Sequence, residues 1–213
     1  MQHDDRSIAA NSVYSLRKRP RQARAIATVD AILDAAARIL TEDGYAAAST
    51  NRIAERAGVS IGSLYEYFPG KEAIFAELRR REGHKFYREL IAQPRPQQPR
   101  AAICHIVRGR LNWMRRDPVL YAALETEVPR AAIAEVEAEV FDDFLGISVA
   151  FLEAHREMLR PEADLRFLAE FLMHTVSATA NTYGLRAPDQ LDDPRLEQAM
   201  IEMVERYLLK DDC

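Results

Sequence analysis

Thr50-Asn51-Arg52-Ile53-Ala54-Glu55-Arg56-Ala57-Gly58-Val59-Ser60-Ile61-Gly62-Ser63-Leu64-Tyr65-Glu66-Tyr67-Phe68 is the stretch on which the fold turns. It reads as two short helices on either side of a tight turn, Ala57 to Ser60. Thr50 is expected to cap the first helix through its hydroxyl, with Ile53, Ala54 and Ala57 turned inward. Gly58 supplies the positive φ that a sharp turn needs, and Val59 plugs the angle. Ser60 is expected to cap the second helix, Ile61 to Phe68. This is a helix-turn-helix, a motif whose second helix lies in the major groove of DNA. The opening turn of that helix, Ile61-Gly62-Ser63, carries little bulk, so its N–H groups can approach a phosphate or base edge closely. Ser60 and Ser63 offer hydroxyls there, and Ile61 offers a methyl surface for thymine. Tyr65 and Tyr67 are expected to hold phenol hydroxyls at phosphate height. Leu64 and Phe68 are core, while Tyr65 suits either a core place or a phosphate contact, since a buried ring with a wet hydroxyl satisfies both.

Upstream, Ile26, Val29, Ile32, Leu33, Ala36, Ile39 and Leu40 recur at helical spacing, and Gly44 is suited to a left-handed cap. Before that helix, Arg17 to Arg24 holds five cations in eight residues, and Met1 to Leu16 reads as a flexible polar extension. Downstream, Pro69-Gly70 precedes a helix from Lys71 with Ile74, Phe75, Leu78, Phe86 and Leu90 on its apolar positions. Pro94 to Pro99 is a linker. Further helices are expected from Ala101 to Arg116, from Asp117-Pro118, from Pro129, from Pro161 and from Asp193-Pro194. No segment alternates as a strand does, so the chain is expected to be all-α with about nine helices.

With these residues in view, the segment resembles the TetR family of transcriptional regulators. Ile32-Leu33-Asp34-Ala35-Ala36, Glu42-Asp43-Gly44, Ile53-Ala54 through Phe68 and Lys71-Glu72 follow the family's pattern in order and in register. The resemblance implies a three-helix DNA-binding domain. It assigns DNA contacts to Thr50, Ile61, Gly62, Ser63, Tyr65, Glu66, Tyr67 and Lys71, often assisted by an arm before the first helix. Tyr67 stands where the family often has histidine, and Gly70 where a capping side chain is common. Glu66 is a carboxylate among phosphates, acceptable where it accepts from a cytosine amino group. The arm gives Arg17, Lys18, Arg19 and Arg21 a role in the minor groove or along the backbone. The resemblance also implies a homodimer held by the last two helices, and repression relieved by a ligand in the C-terminal part.

Charge fits this division. Through Lys71 there are ten basic and eight acidic residues, which leaves 19 basic and 25 acidic for the remainder. A net +2 half beside a net −6 half attracts phosphate locally, because salt screens the distant acidic part. The expected domains are a basic extension over 1–23, a DNA-binding domain over 24–71 and an effector and dimerisation domain over 72–213. In the last, Trp113, Met114, Tyr121, Phe144, Phe151, Phe171, His174 and Tyr183 are candidates to line a pocket for an apolar or aromatic effector. His105, His155 and His174 lack ligand-like spacing, so no metal or other cofactor is expected. No nucleophile and base motif points to catalysis. Two cysteines, Cys104 and Cys213, imply no disulfide framework, and no stretch reads as a signal peptide or membrane span, so a soluble cytoplasmic protein is expected. The competing reading is a DNA-binding organiser or constitutive regulator with no small-molecule switch.

Overall fold

The computed structural model describes residues 14–92, 96, 98–159 and 164–210. Among them are nine α-helices and no strand beyond an isolated bridge between Leu159 and Leu209. The helices are α1 (Ala23–Ala47), α2 (Thr50–Ala57), α3 (Ile61–Tyr67), α4 (Lys71–Ala92), α5 (Pro99–Arg116), α6 (Pro118–Thr126), α7 (Arg130–Ala154), α8 (Leu165–Arg186) and α9 (Pro194–Leu208). None of these is long and apolar enough to cross a membrane.

The helix starts follow from local chemistry. Asp193 caps α9 by accepting from the Arg195 N–H at 2.8 Å, and Pro194 fills the first turn. Asp164 caps α8, accepting from Arg166 and Phe167 N–H groups. The expected opening of that helix at Pro161 lies outside the described residues, as do parts of the Pro94–Pro99 linker. The fifth helix starts at Pro99, two residues before the expected Ala101, because proline suits a first turn that has no N–H partner to lose. Short 3-10 turns at Arg156–Met158 and Pro188–Asp192 were not foreseen.

The chain divides into two compact units, and neither follows the expected boundary at 71/72. Unit one comprises the described residues through Gly83 together with Val119–Ala138. Its core joins Ile32, Leu33, Ile39 and Leu40 of α1 to Ile53, Leu64 and Phe68, and then to Ile74, Phe75 and Leu78 of α4. Ala123, Leu124, Val128, Ala132 and Ile133 close it from the α6–α7 corner. Ending the domain at 71 would strip away three fully buried side chains at roughly 1.5–3 kcal/mol each. A small domain with a total stability of about 5–15 kcal/mol has no such margin. Arg79 adds a polar clasp: its guanidinium meets Glu137 at 2.9 Å and Glu125 at 3.7 Å. Burial pulls the Arg79 charge down, but Glu137, Tyr121 and Glu125 outweigh it and hold the group more basic than usual.

Three further expectations are corrected here. Ile26 is exposed, so burial on the α1 stripe begins at Val29. Gly44 does have positive φ, but its ψ of 169 is extended rather than left-handed helical, and it breaks α1 in place of capping it. The flexible extension does not reach Leu16: Tyr14 and Leu16 pack against the unit one core, as apolar side chains beside an apolar surface should. Residues 1–13 lie outside the described residues.

Unit two comprises His84–Pro118 and the described residues after Ala138. Here α5 packs on α8 and α9. A tight joint lets α5 approach α8: a Cβ on Gly184 would fall on the Met114 methyl.

Candidate nucleic-acid interface

The helix-turn-helix is built by its caps. Ser49, not Thr50, caps α2, its Oγ accepting from the Arg52 N–H at 3.2 Å. The reason is register: Thr50 already has helical geometry, so the preceding residue holds the extended conformation a cap requires. Gly58 ends α2 with φ 68 and ψ 28, a left-handed conformation that other residues adopt at a steric cost. Ser60 caps α3, accepting from the Ser63 N–H at 3.0 Å. Its Oγ also lies 2.8 Å from the Ser63 hydroxyl.

The leading end of α3 faces outward. Ile61 and Gly62 are exposed, Ser63 is half-buried, and Leu64 and Phe68 are wholly buried. A Cβ on Gly62 would meet only the Ser60 hydroxyl at an ordinary 3.8 Å. Nothing inside the protein therefore requires glycine at this position.

The two tyrosines behave differently. Tyr65 is 41% exposed, and its hydroxyl lies 3.0 Å from Thr50 Oγ1, so the two form a polar pair at the α2–α3 junction. Tyr67 is 8% exposed and belongs to the core. The Tyr67 ring is therefore core, where the sequence suggested a phosphate contact for its hydroxyl: residue 67 follows Leu64 by three and Phe68 follows Leu64 by four, so both fall on the inward face. Glu66 is exposed between them.

Two cations assigned to DNA are engaged internally. Arg17 donates its backbone N–H to the Tyr67 carbonyl at 2.9 Å and its Nη1 to the Tyr65 carbonyl at 3.3 Å. It thus satisfies carbonyls at the C-terminal end of α3, which have no partner within the helix, and a cation suits that end of the dipole. Lys71 Nζ donates to the Tyr45 and Ala48 carbonyls at 3.4 and 3.2 Å and lies 4.1 Å from the Tyr45 ring centroid. Burial and the Glu72 carboxylate push the Tyr45 phenol up to about 12. Lys18, Arg19 and Arg21 are exposed. Arg52 and Arg56 pair with Asp43 and Glu42, both at 2.6 Å, which ties α2 to the end of α1.

The effector candidates scatter. A cavity of about 130 Å³ in unit two is walled by α4, α5, α7, α8 and α9, and of the expected residues it takes Phe144 and Phe151. Trp113 borders a neighbouring, more polar cleft. Met114 is core, filling the α5–α8 joint. Tyr121 is buried in unit one, where α6 belongs. Phe171 is exposed, and His174 is exposed and stacks on Phe141 at 4.4 Å between centroids. Tyr183 is half-buried outside the cavity lining. Composition favoured large aromatics, whereas the lining is chosen by helix face. The missed residue is Arg110, an arginine in line with Ile103, Ile106 and Val107, and that position in an apolar stripe was the available signal.

Against known proteins, the sequence pattern of bacterial regulatory proteins of the tetR family matches residues 32–78, from mid-α1 through the helix-turn-helix into α4. Over this segment the chain is similar to the tetR family. The HTH-type transcriptional repressor KstR of Mycolicibacterium smegmatis is 36% identical over 98 residues, covering 44% of this chain and 46% of KstR. The chain spans about half the length of the curated relatives it matches. Among solved structures, the fatty acid degradation regulator FadR from Bacillus halodurans aligns with a TM-score of 0.71 at 20% identity, over 87% of this chain and 96% of FadR. SmeT, repressor of a Stenotrophomonas maltophilia multidrug efflux pump, solved with triclosan, aligns with a TM-score of 0.67 at 23% identity, over 87% and 93%. Both likenesses are of fold.

Proposed function

We propose that this chain is a DNA-binding transcriptional repressor that reads a palindromic operator as a homodimer and leaves it when an apolar ligand occupies unit two. The observation that carries this reading is the exposed, glycine-bearing first turn of α3, which the protein's own packing leaves open. Thr50, Ser60, Ile61, Gly62, Ser63, Tyr65 and Glu66 form the reading surface, flanked by the exposed Lys18, Arg19 and Arg21. Arg17 and Lys71 hold that surface in place. The tetR-family segment and the repressor names of relatives such as KstR support it.

Dimerisation through α8 and α9 is supported by four large apolar side chains left in solvent. Phe167, Phe171, Met203 and Tyr207 are all exposed, and the Phe171 ring lies 6.1 Å from Phe167 and 5.2 Å from Tyr207. A patch of this kind marks an interface. A two-fold axis through it gives the paired heads that major grooves about 34–36 Å apart demand. The ligand role draws on the apolar cavity and on SmeT, a fold neighbour solved with triclosan. The relatives are regulators, and we read this chain likewise as a cytoplasmic regulator with no catalytic role.

The test is selection of duplexes by the purified protein from fragmented genomic DNA, followed by gel-shift titration over a salt series. We expect a palindrome of two half-sites and a steep loss of affinity with salt. Protein that retains no duplex at low salt would overturn the assignment. A retained operator whose affinity no apolar compound changes would favour the constitutive reading.

A further inference from the structure

Helix α5 stands between two spaces of opposite character in unit two. Its Ile103, Ile106 and Val107 line the apolar cavity, while its Arg108, Asn112 and Arg116 line the neighbouring cleft of about 540 Å³. Those two sets fall on different faces of a helix. The spaces meet at the α4–α5 seam, where Phe86, Leu90, Pro96 and His105 line both. Leu90 fills that seam. It is buried, His105 Nε2 lies 3.0 Å from its carbonyl oxygen, and a Cβ on Gly109 would lie 2.6 Å from its Cδ1. A leucine side chain two residues from the end of α4 turns between rotamers without backbone movement.

The cleft favours an uncharged head. Of the charged side chains that line it, Arg116 pairs with Glu89, and Arg108 meets Glu197 of α9 at 2.6 Å. An anionic head would have to displace a carboxylate already in place. A cationic head would meet Arg116 and Lys85, whose charges lie 5.6 and 5.7 Å from the Trp113 ring centroid. A neutral head finds the Asn112 amide, whose Oδ1 accepts from Arg115 Nη1 at 2.7 Å and so points its Nδ2 donor elsewhere. We propose that a single-chain amphiphile with an uncharged, hydroxyl-bearing head occupies both spaces. Its hydrocarbon lies in the cavity, its chain passes Leu90 turned aside, and its head rests in the cleft against Asn112 and Trp113. This assignment rests on the reading of unit two as the ligand-bearing half of a regulator, and it adds the ligand's head and the place that receives it.

Trp113 is the chain's only tryptophan, and it lines the cleft but not the cavity, so its emission reports the head. The full-length protein is titrated with 1-monodecanoylglycerol, decan-1-ol, decanoate and decyltrimethylammonium, each below its aggregation limit. Binding is followed by calorimetry and by Trp113 emission. We expect the glyceride to bind at least tenfold more tightly than the other three, with an emission change that tracks its binding. Asn112→Ala, at an exposed site, should narrow the preference over decan-1-ol to threefold or less with helicity unchanged. Leu90→Ala should speed association of the glyceride at least threefold in stopped flow. The proposal is overturned by an alcohol or an ion that binds as tightly as the glyceride, by silent emission at saturation, by a preference that survives Asn112→Ala, or by no binding of any of the four. An unchanged association rate in Leu90→Ala would overturn the passage at the seam. Failure of the regulatory reading looks different: the glyceride binds with the expected preference but the selected operator is not released.

Discussion

At Gly62 the requirements of folding and of recognition come apart. A methyl group there meets nothing closer than 3.8 Å, and alanine is the better helix former by up to about 1 kcal/mol. Gly62→Ala should leave the thermal midpoint unchanged or raised, yet weaken operator binding at least tenfold in a gel shift. Equal affinity would show that nothing approaches this turn closely. Arg17 separates two other roles that cations near DNA can play. Each phosphate-contacting cation contributes about one unit to the slope of log affinity against log salt. Replacing Lys18, Arg19 or Arg21 by alanine should each flatten that slope, whereas Arg17→Ala should lower affinity and leave the slope almost intact, because its side chain is spent on the Tyr65 carbonyl. A flattened slope for Arg17→Ala would restore it to the phosphate contacts. The sequence showed five cations but could not say which one folds back, because that depends on where the end of α3 comes to rest.

Among elements, starts were more legible than ends. Asp193 and Ser60 announced their helices because a cap is a local bond between a side chain and an N–H two or three residues on. Thr50 misled by one position because Ser49 beside it offers the same hydroxyl. Gly44 was marked as a break, but its partner was invisible: Glu127, distant in sequence, accepts from the Tyr45 N–H at 2.9 Å. A Cβ at Gly44 would lie 2.8 Å from that carboxylate oxygen, in a backbone conformation with φ 79 that L side chains rarely adopt. Gly44→Ala should therefore cost about 1–3 kcal/mol, read as a lower urea midpoint with an unchanged slope. An unshifted midpoint would mean that the backbone relaxes there without cost. The cavity residues were the least legible for the same reason, since five helices must be placed before a lining exists.

For the molecule as a whole, the patch of Phe167, Phe171, Met203 and Tyr207 makes the dimer testable. Phe171→Glu with Tyr207→Glu should yield a folded monomer by sedimentation, with helicity kept because both sites face solvent in the single chain. Operator affinity should then fall by orders of magnitude, since two linked heads bind far better than one. A variant that still sediments as a dimer would move the interface elsewhere. Unit one, finally, is discontinuous in the chain. Anyone wishing to transplant this reading head onto a foreign sensor cannot lift it out as one cassette. A chimera that carries only residues 14–83 would lack Leu124, Val128 and Ile133 from its core, and should be recovered from inclusion bodies unless the host supplies a matching corner.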